Sequence, residues 1–219
     1  MRILAASDIH GRHDVYRWLV RLTADRCPDA LLLAGDLLGV PDGFETVEAA
    51  QQSDAAAIGS ILGALSLPVY YIMGNDDAID LQPEARTIRS LNLTRIDQGE
   101  YNFIGYQCTL PFMGGVFEKS EEAISADLAS IRPVMDERTV LVTHSPALGI
   151  LDGTLRGHAG SASIRDAIVE RGVRVHIHGH IHESFGRSGA HFNVAAAGRR
   201  RAMLIDLDAM AHEVVGDAA

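Results

Sequence analysis

The sequence has 219 residues, of which 47% are apolar and 22% charged, a composition that excludes a disordered chain and allows one large globular domain. A formal net charge of -10 disfavours a protein that grips nucleic acid through a basic surface. The two cysteines supply no disulfide framework, the N-terminus has no signal-peptide pattern, and no segment predicts a membrane span. We therefore expect a cytoplasmic protein with a single domain over residues 1–219.

Short apolar runs alternate with helical patterns in the first half of the sequence. The predicted elements here are, in chain order, a strand at 2–6, a helix that carries Val15, Trp18, Leu19 and Leu22 on one face, a strand at 30–34, a helix at about 45–65 and a strand at 68–73. Strands that alternate with helices predict an α/β architecture in which the first strands pair in parallel.

The second half predicts more strands and two more helices. Its elements are an exposed or meandering strand at 101–108, a helix at 119–131 with Ser120 as its N-cap, a strand at 139–143, a helix at 161–171, and strands at 173–178, 191–196 and 202–207. The tail at 216–219 is expected to fray. No internal repeat or linker divides the chain.

Polar clusters follow five of the predicted strands directly, and ligands of open α/β sheets bind at such strand ends. The clusters are Asp8 with His10, Asp36, Asn75 with Asp76 and Asp77, His144, and His180 with His182. Residues two apart on an extended segment point the same way, so Asp8 and His10 can hold one ion, and His180 and His182 can share an ion or divide between two. Carboxylate, imidazole and amide donors suit manganese, iron, zinc or cobalt better than calcium.

The order of these clusters resembles a known signature. Asp8-x-His10, Gly35-Asp36, Gly74-Asn75, His144 and Gly179-His180-x-His182 together resemble the motif series of the calcineurin-like metallophosphoesterases. The stretches around His144-Ser145-Pro146, residues 157–161 and residues 179–184 are similar to a small prokaryotic branch, the Icc-related predicted phosphoesterases.

The resemblance implies a four-layer αββα sandwich, with two sheets between layers of helices, and a site for two divalent metal ions. Its implied ligands are Asp8, His10 and His182 for the first ion, Asn75, His144 and His180 for the second, and Asp36 as the bridge between them. A hydroxide that bridges the ions would attack the phosphorus of a phosphate mono- or diester. We expect manganese, with iron, zinc, cobalt or nickel as alternatives.

The sequence departs from the family pattern at the residue after Asn75, where the family usually has a histidine near the leaving group and this chain has Asp76. Asp76 beside two cations would be ionised and unable to donate a proton. Either the leaving group needs little acid help, or His158 in its glycine-rich loop is the donor, or activity is low. We therefore name Asp76 and His158 as catalytic candidates, and Arg12 as a candidate substrate-binding residue.

Three functions are compatible with this pattern. The first is a metal-dependent phosphoesterase that acts on small molecules. The second is a nuclease, which the acidic composition disfavours. The third is a catalytically weak binding or scaffold protein of the same fold, like the scaffold subunit of the retromer, although such proteins tend to lose metal ligands and this chain keeps all seven positions. An exposed strand at 101–108 would also support a homodimer.

Overall fold

The computed structural model describes residues 1–216, and in that range the chain forms fourteen strands and four α-helices. The strands are β1 Arg2–Ala6, β2 Ala30–Ala34, β3 Val69–Ile72, β4 Ile88–Ser90, β5 Arg95–Gln98, β6 Tyr101–Tyr106, β7 Thr139–Thr143, β8 Gly153–Thr154, β9 Gly157–His158, β10 Val175–His178, β11 Gly186–Ser188, β12 His191–Asn193, β13 Arg201–Asp206 and β14 Ala211–Gly216. The helices are α1 His13–Arg26, α2 Val47–Leu62, α3 Glu121–Ile131 and α4 Ala162–Arg171, and short 3₁₀ turns lie at Arg132–Val134 and His182–Ser184.

Three of the helices have an N-cap residue with a hydroxyl side chain. The Oγ1 atom of Thr46 accepts a hydrogen bond from the backbone N–H of Ala49 at the start of α2. Ser120 caps α3, as predicted, and Ser161 caps α4 in the same way. Each cap satisfies a backbone donor that the first helical turn leaves unpaired. At its other end α4 stops at Gly172, whose φ of 60° is left-handed.

The larger strands form two six-stranded sheets within the described residues. The first sheet has the order β14-β13-β1-β2-β3-β4, and the second has the order β11-β12-β10-β7-β6-β5. Strands β1, β2 and β3 pair in parallel as predicted, β4 extends the parallel run, and β13 joins β1 antiparallel. In the second sheet β6, β7, β10 and β12 are parallel. The carboxyl ends of these parallel strands carry the predicted site.

Three buried clusters separate the layers. Because alternate residues of a strand face opposite sides, Ile3 of β1 packs between the two sheets while Leu4 packs against α1 and α2. The second sheet does the same, with Phe103 facing the first sheet and Ile104 facing α3 and α4. The result is the predicted four-layer αββα sandwich.

The segment at 101–108 is not an exposed strand, so that prediction is wrong. Strand β6 lies between β5 and β7 and is buried over nearly all its length. The short neighbour β5 was not predicted, and it covers the edge that would otherwise be open. Strand β6 therefore lends no support to a homodimer, which stays a prediction.

Other differences from the predicted elements are short strands and chain ends. Strands β4, β5, β8, β9, β11 and β14 have two to six residues each and were not predicted. Strand β14 extends to Gly216, the first residue of the predicted frayed tail, and 217–219 lie outside the described residues. None of the helices that the structure describes has the length and apolar composition needed to cross a membrane.

The packing between the sheets generates a stability prediction at Phe103, which is fully buried and lies with its ring 5.1 Å from that of Tyr70. Phe103→Ala is expected to lower the free energy of unfolding by about 3–5 kcal/mol, because it leaves a cavity between the sheets. Urea unfolding measures the change. Val169→Ala, at a residue that is 75% exposed, is the control and should change stability by less than about 0.5 kcal/mol. Similar losses in both variants would contradict the layer assignment.

Candidate metal centre

The predicted ligands leave the carboxyl ends of five strands, β1, β2, β3, β7 and β10, which belong to both sheets. Four of them have left-handed backbones, with φ of 55° at Asp8, 50° at His10, 51° at Asp36 and 70° at His180. Such conformations cost free energy in residues other than glycine, and they concentrate at functional sites. The strain here turns each ligand sharply out of its strand and towards a common point.

Asp8, His10 and His182 form the first group. Their ligand atoms all lie within 4.8 Å of one another. The Oδ1 atom of Asp8 is 3.0 Å from Nε2 of His182, and its Oδ2 atom accepts hydrogen bonds from the Ser7 hydroxyl and the His180 backbone N–H. Burial raises the pKa of Asp8, but its bond with His182 and its other partners outweigh burial and lower the pKa overall. Asp8 is thus held as a carboxylate.

Asn75, Asp36 and His144 form the second group. The Nδ1 atom of His144 lies 2.8 Å from the carbonyl oxygen of Ala34 and must donate to it, so Nε2 is the free ligand atom. This Nε2 is 3.2 Å from Oδ1 of Asn75 and 3.2 Å from Oδ2 of Asp36. The amide of Asn75 donates to Asp76, which turns the amide oxygen towards His144. Three acceptor atoms therefore converge, and a cation or a proton must lie among them.

The charge balance of the site favours cations. Asp8 and Asp36 are 0% and 3% exposed, and within residues 1–216 neither forms an ion pair with a lysine or an arginine. Burial lowers the pKa of His144, yet the carboxylates of Asp36 and Asp8 raise it to about 10. Buried carboxylates without a compensating charge are costly. The donor set and this deficit of positive charge both fit divalent metal ions.

Asp76 joins a third group of possible ligands, with His10 and Asp36. Its Oδ2 atom is 3.6 Å from Nδ1 of His10, and its backbone N–H donates to Oδ1 of Asp36 at 2.9 Å. Burial and the charge of Asp36 raise the pKa of Asp76. The position suits a metal ligand, and the catalytic role of Asp76 stays a prediction.

Asp77 and Gly74 lie behind the ligands and determine how closely the ligands approach one another. The carboxylate of Asp77 accepts backbone hydrogen bonds from Leu37 at 3.0 Å, Leu38 at 2.8 Å and Gly74 at 2.8 Å, and so ties the loop after β2 to the loop after β3. A Cβ atom on Gly74 would collide with the Asp36 carboxylate and the His144 ring. The carboxylate of Asp77 and the absence of a side chain at Gly74 therefore support the site without binding an ion.

The ligands form the floor of a cleft of about 580 Å³. His10, Asp36, Asn75, His180 and His182 line it, while Asp8 and His144 are fully buried. The hairpin of β8 and β9 forms one wall, and Phe112 stands on the wall beside His180.

Arg12 does not line this cleft. Its guanidinium binds the Asp14 carboxylate, with Nε 3.0 Å from Oδ1. Arg156, which the sequence did not single out, does line the cleft. Arg156, and not Arg12, is therefore the arginine of these two that borders the cleft.

His158 lies on β9 at the cleft wall, with a side chain that is 64% exposed. Its Nδ1 atom is 2.7 Å from Oδ1 of the buried Asp152, which also accepts the backbone N–H of Gly149 and Gly160. The carboxylate fixes the proton on Nδ1 and leaves Nε2 free. Nothing in the sequence pattern indicates Asp152.

Residues 1–184 match the model of a family described as calcineurin-like phosphoesterase. The chain belongs to this family. The family generally uses divalent metal ions, in agreement with the donor groups described above. No curated protein sequence matches the chain.

Several solved structures share the fold. The chain is similar to the protein TT1561 of Thermus thermophilus, with 20% identity, a TM-score of 0.75 and 98% of each chain covered. A dimetal phosphatase from Danio rerio has 12% identity and a TM-score of 0.62 over 93% of this chain and 95% of its own. A novel archaeal phosphodiesterase has 13% identity and a TM-score of 0.53 over 98% of this chain and 99% of its own. At these identities the likeness shows the fold alone.

The close approach at Gly74 generates a prediction. Gly74→Ala is expected to weaken metal binding by about 10–100-fold, because the methyl group displaces Asp36 and His144. Calorimetric titration of the metal-stripped protein with manganese measures this change. Gly59→Ala is the control, since a Cβ atom at Gly59 in α2 meets no atom within 4 Å. Unchanged affinity in Gly74→Ala would show that the metal does not lie between Asp36 and His144.

Proposed function

We propose that the protein hydrolyses phosphate mono- or diesters of small molecules with two divalent metal ions. The observation that carries this proposal is the convergence of buried acceptor atoms from Asp36, Asn75 and His144 without a neutralising arginine or lysine among residues 1–216. Without a metal only protonated imidazoles such as His144 balance these carboxylates. Bound divalent ions would supply that positive charge and use all three acceptor atoms as ligands.

In this proposal the first ion is held by Asp8, His10 and His182, and the second by Asn75, His144 and His180. Carboxylate oxygens of Asp36 lie within 4.8 Å of ligand atoms of Asp8 and His10 in the first group and of His144 in the second. This position supports its role as the bridge. When bound, the two ions supply Lewis-acid charge for the phosphate and lower the pKa of the water that attacks phosphorus. Manganese remains our first expectation, with iron, zinc, cobalt or nickel as alternatives.

His158 is the proton donor to the leaving group in this proposal, and Asp152 positions it. The imidazole stands at the cleft wall, and the bond from Nδ1 to buried Asp152 holds the ring in one orientation. The imidazolium form would donate the proton on Nε2 and become the neutral Nδ1–H imidazole. Asp76 cannot take this role if it is a metal ligand, because an ionised carboxylate has no proton to donate. His158, on the hairpin of β8 and β9, thus takes the role of the family's usual histidine, whose position Asp76 occupies in this chain.

Several finer expectations stay predictions. These are the single domain over 1–219, the cytoplasmic location, membership of the Icc-related branch, a small-molecule substrate rather than nucleic acid, and a homodimer. The pairing of β13 with β1 supports one domain, since it joins the two ends of the chain in one sheet. A catalytically weak scaffold is the alternative function, and the complete set of ligand side chains speaks against it.

Metal dependence and the bridging carboxylate can be tested together. Metal-stripped protein is expected to hydrolyse bis-p-nitrophenyl phosphate or p-nitrophenyl phosphate only after manganese is added, and Asp36→Asn should reduce turnover to background. Asp166→Asn changes an exposed carboxylate on α4 and is the matched control. Asp36→Asn with half or more of wild-type turnover would rule out the bridge, and turnover in the stripped protein would rule out the metal mechanism.

The proton donor is tested through the leaving group. His158→Asn is expected to lower kcat about 100-fold for an alkyl phosphate ester, which needs protonation, and much less for the p-nitrophenyl ester. Asp152→Asn should show the same dependence to a smaller extent, because it removes only the orientation of His158. His212→Asn, an exposed histidine on β14, is the control. Equal losses for both esters would contradict proton donation by His158.

A further inference from the structure

The loop between β6 and α3 exposes large apolar side chains in an ordered arrangement. Phe112 is 66% and Met113 is 77% exposed. The carboxylate of Glu118 accepts the backbone N–H of Phe112 at 2.7 Å, Met113 at 2.8 Å and Gly114 at 2.9 Å. Clustered apolar side chains on the surface of a folded loop indicate a binding site.

Phe112 lies beside the predicted metal centre. Its ring meets the ring of His180 edge-on, with centroids 5.8 Å apart and an interplanar angle of 86°. The same ring lines the cleft. Phe112 is therefore within reach of the organic part of a ligand whose phosphate lies on the predicted metal ligands.

The hairpin of β8 and β9 brings a second apolar side chain to the same cleft. Leu155 lies at its tip, is completely exposed, and lines the cleft together with Arg156. The Oγ1 atom of Thr154 donates to the Gly157 carbonyl at 2.8 Å and accepts the Arg156 N–H at 3.1 Å, which closes the turn. The Ser184 hydroxyl bonds to the Gly153 carbonyl and ties the hairpin to the turn that carries His182.

The cleft has room for an occupant larger than phosphate. Its volume of about 580 Å³ lies within the range of roughly 300–1,000 Å³ that holds drug-sized organic ligands. The floor is polar and suits the phosphate, whereas the walls offer the Phe112 ring, the Leu155 side chain and the Arg156 guanidinium. An aromatic ring and a guanidinium are both flat and both stack on aromatic groups.

We propose that the organic part of the substrate is an aromatic group, which packs against Phe112 and Leu155 and stacks with Arg156 while its phosphate lies on the metal floor. This inference rests on the proposed function for the phosphate end only. It makes Phe112 and Leu155 the residues that determine which phosphate esters bind well.

Binding of phosphonates tests the inference without any turnover, because their P–C bond is not an ester. Calorimetry of the manganese-loaded protein should show phenylphosphonate binding at least about tenfold more tightly than methylphosphonate. It should also bind more tightly than n-hexylphosphonate, which has as many carbons in a flexible chain. Phe112→Ala and Leu155→Ala should each reduce the preference for phenyl over methyl to within about threefold. Val116→Ala, 65% exposed on the same loop but not lining the cleft, should keep it.

Equal affinity for phenyl- and methylphosphonate, or no binding of either, would overturn the inference. Tighter binding of the hexyl compound would overturn its aromatic part, and loss of the preference in Val116→Ala would overturn the assignment to Phe112 and Leu155. A phenyl preference in a protein that hydrolyses no ester would support the inference while the proposed function fails. Metal-dependent hydrolysis without a phenyl preference would support the proposed function while the inference fails.

Discussion

Asp8 and Asp36 hold two carboxylates inside the molecule, where an uncompensated charge costs several kcal/mol. The nearest partners of these carboxylates are imidazoles, a serine hydroxyl and backbone N–H groups, and no arginine or lysine of residues 1–216 pairs with them. Burial lowers the pKa of His144, but the carboxylates of Asp36 and Asp8 outweigh it and raise that pKa. The same negative charge makes the cluster suited to cations. The order of the strands, the turns after them and the glycines nearby all serve to keep these acceptors together.

The same requirement explains the strained backbone. Asp8, His10, Asp36 and His180 adopt left-handed φ values, each at a cost of about 1–3 kcal/mol. The surrounding loops maintain these conformations through hydrogen bonds, such as those from Ile9 and His10 to the Asp36 carbonyl. Strain at the ligands is therefore offset by the rigid sheets and by the buried cores between and beside them.

Acidic side chains have a second use in this chain, which has a formal net charge of -10. Asp77, Asp152 and Glu118 each accept several backbone N–H groups and hold a loop in one conformation. Asp77 secures the floor of the cleft, Asp152 secures the hairpin wall and orients His158, and Glu118 secures the loop of Phe112. A cleft built from loops thus gains the rigidity that positioning of a substrate requires.

The sequence by itself determined the features that depend on neighbouring residues: the strands before each ligand, Ser120 as a helix cap, and the residue types of the predicted metal centre. Only the tertiary structure decided what depends on distant segments. Strand β6 is buried because β5 and β7 flank it, and Arg12 turns to Asp14 although it follows His10 closely. Arg156 and Phe112 reach the cleft, and buried Asp152 reaches His158, through loops whose paths are set by anchoring contacts. Periodicity and spacing report local conformation, whereas a cleft wall is made by segments that meet only after the two sheets have packed.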